Sequence, residues 1–433
     1  MAREPETAIL VGTRFPEQPP WWVDDAMEEL EELAKTAGAK VLYPVVQQRV
    51  RPHPAYFIGK GKAEQIGELC EVGRANLVIF NANLSAAQIR NLEEIIEVKV
   101  IDRTELILDI FAQRAHTREG KLQVELAQLQ YLLPRLVGKG LSMSQLGGGI
   151  GTRGPGETKL EVDRRRIRGK IQKIDQELEK VRSTRALHRK ERQSVSLPVV
   201  ALVGYTNSGK STLLNRLTGA AVLAADKPFA TLDPTVRRFS LPRRKEVLLV
   251  DTVGFIRDLP HTLVEAFKAT LEETVHADLL LHVIDLSHPA VSTQILAVHR
   301  VLDELGVLHK ERVEVYNKAD RVGNPEAVNR LLHKIEGSTG TSGGIALSAL
   351  TGDGIPELLD SVELHLLPGI ERVSVLIPFE RGDLLARLHA AGRVLRTEET
   401  SRGILCRAEL SLRVKEEFRP YLIDERCAGG GDF

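Results

Sequence analysis

The sequence predicts an α/β protein of several domains, on three observations. Strand-like apolar runs alternate with helical periodicities over residues 1–111, the pattern of a mostly parallel sheet. A glycine-rich stretch, Gly204-Tyr205-Thr206-Asn207-Ser208-Gly209-Lys210-Ser211-Thr212, stands between the apolar run Leu197–Val203 and a helix-like start, Leu213–Leu217. Two stretches between these regions space their leucines and isoleucines by fours and threes, the rhythm of paired helices.

Composition bounds what the chain can be. Its 433 residues are 42% hydrophobic and 27% charged, a soluble globular composition with room for two to four domains. Lys and Arg match Asp and Glu at 59 each, which argues against a basic coat over the whole surface. No apolar run approaches the ~18 residues of a membrane span. The opening Met1-Ala2-Arg3-Glu4-Pro5 leads into no apolar leader segment. Cys70, Cys406 and Cys427 lie far apart, with neither disulfide-framework nor zinc spacing. The expected location is a reducing cytoplasm, with peripheral attachment at a membrane left open.

Residues 1–111 divide into strands at Ala8–Val11, Lys40–Val46, Ala75–Phe80 and Val98–Ile101, with helices at Val23–Ala37, Lys62–Val72 and Ser85–Ile96. Ser85 is the expected N-cap of the last. Tyr56-Phe57-Ile58-Gly59-Lys60-Gly61-Lys62 lacks the full phosphate-loop pattern, so a plain turn into a helix outweighs a phosphate or RNA contact there.

Residues 112–194 change period. Leu122, Leu126, Leu129, Leu133 and Leu136 form one seam, which Pro134 should kink or end. Leu160, Ile167, Ile171, Ile174, Leu178 and Val181 form the other. A compact loop between two helices implies an antiparallel hairpin with the loop at its tip. That loop runs Gly147-Gly148-Gly149-Ile150-Gly151-Thr152-Arg153-Gly154-Pro155-Gly156-Glu157-Thr158-Lys159. Arg164, Arg165, Arg166 and Arg168 open the second helix, where basic residues outnumber acidic ones about two to one. A solvated charged face explains such a helix as readily as RNA binding does. Clustered arginine on a projecting element of a neutral chain tips the balance toward nucleic acid, and arginine-rich helices with a glycine loop, Arg153 included, suit irregular folded RNA.

Residues 195–369 carry the chemistry. G-x-x-x-x-G-K-[ST] between strand and helix is a P-loop, whose backbone N–H groups cradle phosphate while Lys210 reaches the outer phosphates. Ser211 is placed to ligate Mg2+. Asp251-Thr252-Val253-Gly254 supplies a carboxylate behind the metal and the Gly254 amide beside a γ-phosphate. Asn317-Lys318-Ala319-Asp320 reads guanine through the Asp320 carboxylate, and Ser348-Ala349-Leu350 puts the Ala349 amide near guanine O6. In the switch Phe229-Ala230-Thr231-Leu232-Asp233-Pro234-Thr235, Thr231 is the first choice for the second metal hydroxyl and Thr235 the other. Four motifs in this order and spacing mean a Ras-like GTP and GDP site, with Lys210, Thr231 and Gly254 in the catalytic roles. Phe255 stands where Ras-like enzymes carry a water-orienting glutamine, so intrinsic hydrolysis should be slow. Asn207 resembles the asparagine of GTPases that bind K+ at this position; an ordinary P-loop hydrogen bond competes with that reading. Residues 370–433 form a small α+β domain, with strands Val373–Pro378 and Gly403–Leu412 around a helix at Asp383–Ala391.

Across nearly its whole length the chain resembles the HflX-type GTPases. The resemblance rests on Tyr56–Gly61, the 147–158 glycine loop, the P-loop, Phe229–Thr235 and Asp251–Phe255, of which the glycine loop is the most specific. It implies a monomeric cytoplasmic GTPase that binds the large (50S) ribosomal subunit and its rRNA. Such a protein dissociates stalled or idle ribosomes with GTP, and the ribosome stimulates its hydrolysis. It further implies Mg2+ on Ser211 and Thr231, and a hairpin loop reaching toward the peptidyl transferase centre. Two other functions fit the same residues: a GTP-gated signalling or scaffold protein, and an RNA-remodelling NTPase with a further ATP site around Gly59-Lys60-Gly61.

Overall fold

The computed structural model describes residues 6–137, 159–193, 197–219, 228–229, 231–242, 246–257, 271–341, 343–366, 370–379, 381–391, 393–400 and 403–423. By its contacts the chain divides into two compact units, Met1–Arg237 with Leu248–Asp353 and Arg238–Val247 with Gly354–Phe433.

The first unit opens with β1 (Thr7–Arg14), α1 (Pro20–Ala37), β2 (Lys40–Gln48), α2 (Lys60–Gly73), β3 (Leu77–Phe80), α3 (Ala86–Ile96), β4 (Lys99–Asp102) and α4 (Arg103–Arg114). Its four strands pair in parallel in the order β2-β1-β3-β4, as alternating strands and helices require. Ser85 caps α3 in a full capping box with Gln88. Before α2 there is no strand. An isolated bridge joins His53 to Phe57, and Lys60 spends its charge on the solvent-exposed Glu64. The helix α4, unforeseen in the sequence, begins where the Asp102 side chain accepts from Glu105 N at 2.9 Å.

Two helices follow, α5 (Arg118–Leu132) and α6 (Lys159–Gln193), packed together as an antiparallel hairpin. Arg118 at the start of α5 pairs with Glu177 in the later half of α6. The seam is shorter than the leucine spacing predicted. Leu126, Ile174 and Leu178 form its buried centre, with Leu122, Leu129 and Ile171 against them. Leu133 and Leu136 fall instead in a 3-10 turn, Leu133–Val137, because Pro134 lacks the N–H that α5 would need to continue. The glycine tip loop lies outside the described residues.

The nucleotide half supplies β5 (Val199–Val203), α7 (Lys210–Thr218), β6 (Thr235–Ser240), β7 (Glu246–Asp251), α8 (Glu272–His276), β8 (Leu279–Asp285), α9 (Val291–Glu304), β9 (Arg312–Asn317), α10 (Pro325–Thr339) and β10 (Gly344–Ala346). The sheet runs β10-β9-β8-β5-β7-β6, and β5 and β8, at its centre, are apolar along nearly their whole length, as strands buried on both faces must be. One continuous core cluster joins the two α/β halves: Leu106, Ile107 and Phe111 share it with Val203, Phe229, Val253 and Phe255.

The second unit contains α11 (Ile355–Leu366), β11 (Ile370–Ile377), α12 (Gly382–Ala391), β12 (Arg393–Thr400), β13 (Gly403–Ser411), α13 (Leu412–Glu417) and β14 (Leu422–Ile423). Its sheet, β12-β13-β11-β14, is antiparallel and closes over Val375, Leu388, Cys406 and Phe418. This is the expected α+β piece with one more long strand, β12, whose charged sequence hid it.

Candidate nucleotide site

β5 ends at Val203, and the chain turns through Gly204–Gly209 into α7, so the first amides of α7 face the turn. Gly209 takes φ 95°, and a Cβ there would strike Asn317 Nδ2. The walls of a cavity of about 350 Å³ come from this turn (Thr206, Asn207, Gly209, Lys210, Ser211, Thr212), from Phe229, Thr231, Thr252 and Gly254, and from Asn317, Lys318, Asp320, Ala349 and Leu350. Asn207, Phe229 and Lys318 hold φ near 60°, the left-handed region, and all three line it. Left-handed backbone at residues other than glycine is costly and tends to collect at ligand sites.

At the phosphate end, buried Lys210 donates to Gly204 O at 3.2 Å and Tyr205 O at 2.8 Å. Burial pulls its ammonium pKa down to about 8, against the attraction of Asp251. Ser211 Oγ donates to Asp251 Oδ2 at 2.6 Å, Thr231 Oγ1 reaches the same oxygen at 2.9 Å, and the two hydroxyls lie 2.9 Å apart. Asp251 Oδ1 is buried without a partner. Burial raises the Asp251 pKa, opposed by Lys210 and the two hydroxyls. Two hydroxyls and a carboxylate, with an orphaned oxygen among them, are a hard-oxygen set that fits Mg2+. Thr235, the other candidate, opens β6 instead.

At the base end, Asn317 is a strut. Its Nδ2 donates to Ser208 O at 2.9 Å, and its Oδ1 accepts from Ala349 N at 3.0 Å. The Ala349 amide is therefore engaged by Asn317, where the sequence placed it on guanine O6. Lys318 Nζ donates to Asn207 O at 2.8 Å and to Asp285 at 2.6 Å, tying base loop to P-loop. Asp320 is exposed at the rim rather than buried, so its carboxylate is desolvated only when a base covers it.

Several sequence-selected residues face elsewhere. Val253 sits in the core, and the Ser348 hydroxyl accepts from Thr351 N at 3.1 Å. Ser208 Oγ is buried without a partner, while Thr252 Oγ1 donates to Leu202 O at 2.6 Å. Ala230 lies outside the described residues. The Phe255 ring is buried in the core shared with α4, and its backbone is bridged to the P-loop through Phe255 N to Gly204 O at 3.1 Å and Thr206 N to Phe255 O at 2.6 Å. Tyr205 turns its hydroxyl out of the cavity, bonding Glu29 of α1 and accepting from Arg257 N at 2.8 Å.

That hydroxyl belongs to a set of contacts the sequence reading missed. Arg257, three residues after Gly254, pairs with Asp25 and stacks over Trp22 at 5.0 Å. Arg103 pairs with Glu29 at 2.7 Å and donates to Arg257 O at 3.3 Å. In the switch, Phe229 meets Phe111 edge-on at 4.6 Å. Asp233 accepts from His116 N at 3.0 Å, Thr117 N at 2.9 Å and Thr117 Oγ1 at 2.5 Å, at the start of α5. The one signal in the sequence was the spacing of Asp25 and Glu29, i and i+4 on α1, which reads equally well as a solvated face.

Residues 24–112 match a family described as GTP-binding GTPase N-terminal, residues 114–192 its middle region, and residues 199–318 a 50S ribosome-binding GTPase. Over 424 residues the chain is 49% identical to GTPase HflX of Caldanaerobacter subterraneus subsp. tengcongensis, covering 98% of this chain and 95% of that one. It belongs to the HflX family of GTPases. To GTPase HflX of Escherichia coli it is 47% identical over 387 residues, covering 89% and 88%. Among solved structures, a GTP-binding protein from Sulfolobus solfataricus in complex with GDP aligns at 26% identity with a TM-score of 0.43, covering 83% of this chain and 98% of that one. As an HflX GTPase the chain binds guanine nucleotide and hydrolyses GTP, and its family is ribosome-associated. No helix among the described residues is long and apolar enough to cross a membrane.

Of the basic residues chosen for RNA, Arg165, Arg166 and Arg168 are exposed on α6 and Arg164 is half-buried. Arg153 lies outside the described residues.

Proposed function

We propose that this HflX-family chain binds the large ribosomal subunit and its rRNA through α6 and the 147–159 loop, and separates ribosomal subunits in its GTP-bound form. The reading rests on one observation. Asp233, two residues after Thr231, holds the first turn of α5, so the γ-phosphate-sensing segment and the hairpin share a hydrogen-bonded joint. Helix α6 adds thirteen basic residues against six acidic ones, a charge that suits a phosphate backbone.

In this reading Ser211 and Thr231 hold Mg2+, Asp251 orients both hydroxyls, and Lys210 leaves its two carbonyls for the outer phosphates. Bound there, the ion would neutralise charge developing on the transferred phosphoryl. With Phe255 buried, no side chain among the described residues of the D-x-x-G loop replaces the missing glutamine, so hydrolysis is slow until the ribosome supplies or orders the missing group. The Asn207 side chain remains the candidate for K+ at the same point; equal turnover in K+ and Na+ would remove that role. The factor acts as a monomer in the cytoplasm.

Light scattering of 70S ribosomes tests the whole. Scattering falls when the chain is added with GTP or a non-hydrolysable analogue, and stays flat with GDP. Ribosomes that remain intact under all three conditions defeat the reading.

A further inference from the structure

Apart from the nucleotide chemistry, one face of the β8–β9 pair carries two side chains that a hydrophobic sheet has no reason to bury, and a third meets them from α9. His282 and Glu314 are register partners on the neighbouring parallel strands, 1% and 4% exposed. His299 reaches them from α9, its ring 5.5 Å from that of His282. His282 Nδ1 lies 2.5 Å from Glu314 Oε2, and His299 Nε2 lies 3.8 Å from Glu314 Oε1. The potential ligand atoms all fall within 4.8 Å of one another.

Three of those atoms, His282 Nδ1, His299 Nε2 and Glu314 Oε2, are buried and face only one another, with no hydrogen bond to a group outside the cluster. Buried imidazole and carboxylate atoms that turn to no group outside their own cluster are uncommon in a sheet core, and three converging on one point need a common explanation. The other Glu314 oxygen is already held: Arg312 Nε donates to Oε1 at 2.8 Å, which turns Oε2 toward the imidazoles. A fixed carboxylate orientation is what the partners behind a metal ligand usually supply.

We propose that His282, His299 and Glu314 form a site for a first-row divalent transition metal of the zinc type. Two imidazoles and a carboxylate are the ligand set of open zinc sites, with a fourth position for water. Ligands at about 2.0–2.1 Å in a tetrahedron stand about 3.3 Å apart, so the 2.5 Å between His282 Nδ1 and Glu314 Oε2 opens by about 0.8 Å when an ion enters. The His299 side chain, 16% exposed, is the most accessible of the three and marks the side from which an ion would enter. Hard Mg2+ prefers all-oxygen ligation and is excluded by the two nitrogens. The site is separate from the Ser211–Asp251 cluster, and it spans strands that end in Asp285 and Asn317, both parts of the base loop. A bound ion ties β8, β9 and α9 together beneath that loop.

The test uses the full chain, chelator-treated and then saturated with GDP and Mg2+ so that the nucleotide site is filled. Zn2+ is titrated against a chromophoric chelator, and Co2+ is followed by its visible absorption. The expected result is a single tight equivalent of Zn2+ and a four-coordinate Co2+ spectrum without a thiolate charge-transfer band. Zn2+ also raises Tm. In His299→Ala, whose side chain is at the edge of the cluster, Zn2+ affinity falls by more than about 100-fold and the Zn2+-dependent rise in Tm disappears. Glu314→Gln gives the same loss if it folds. Equal Zn2+ affinity in wild type and His299→Ala, or a Co2+ spectrum typical of thiolate ligation, overturns the assignment.

Discussion

Lys210 is the residue through which pH bears on phosphate binding. With its ammonium pKa at about 8, it is charged in both states below that pH, and binding moves no proton at this residue. A phosphate anion beside it raises the pKa, so above pH 8 binding takes up a proton and affinity falls by up to about tenfold per pH unit. Calorimetry of Mg2+·GDP binding in buffers of different ionisation enthalpy should show uptake at pH 8.5 and little at pH 6.5; no buffer dependence at pH 8.5 contradicts the assignment. For the empty chain the sign is the reverse. The unfolded lysine keeps its proton up to about 10.5, so stability contributed here rises with pH between 8 and 10.5. At the other end of the cavity, Asp320→Asn replaces an acceptor by an amide that can donate. Guanine nucleotides should bind about 10³-fold or more weakly and xanthine nucleotides better than in wild type, read by competition with a fluorescent GDP. In the proposed reading, Thr231→Ala removes a hydroxyl that meets GTP·Mg2+ but has no γ-phosphate to sense in GDP. Its affinity for a GTP analogue should drop while that for GDP holds.

At the scale of elements, the helix caps and breaks followed from local sequence. Ser85 and Pro134 act within three or four residues of themselves, so their effect is written beside them. The cap of α5 is different. Thr117 accepts from Gly120 N at 3.0 Å, but it is Asp233, 116 residues away, that fixes Thr117. Asp233→Ala should therefore destabilise the chain by about 1–2 kcal/mol, seen as a lower urea midpoint with unchanged m-value. It should also weaken the nucleotide dependence of ribosome co-sedimentation, while leaving GDP affinity near wild type. A variant that loses GDP affinity as well would place Asp233 in the nucleotide site and not at the joint. The leucine spacing over-read the seam because periodicity counts residues and cannot see where the partner helix stops.

Across the molecule, the two α/β halves of the first unit meet through a core and through charges that have left water. Arg257 and Arg103 are 7% and 5% exposed, opposite Asp25 and Glu29. Removing an arginine leaves its half-buried carboxylate with weaker partners, His288 at 3.6 Å for Asp25 and the Tyr205 hydroxyl for Glu29. Arg257→Ala should thus cost up to about 3 kcal/mol in denaturant titrations, far more than loss of an exposed pair such as Arg381–Asp383. Equal effects for the two would mean that the interface is solvated in solution.

The sequence by itself determined the phosphate turn, the order of the guanine-nucleotide motifs, the apolar strands beneath them and the basic character of α6. Each depends on neighbours in the chain: successive amides make the cradle, and alternating or heptad spacing makes the faces. Only the tertiary structure decided that Thr231, not Thr235, stands beside Ser211, and that Ala349 serves Asn317. It also brought Tyr205 and Arg257 to α1, and gathered His282, His299 and Glu314 on one sheet face. Arg257 and Asp25 are 232 residues apart, and nothing local in either position records the other. Their meeting is decided by how the cores close, a property of the packed molecule and not of any one stretch of it.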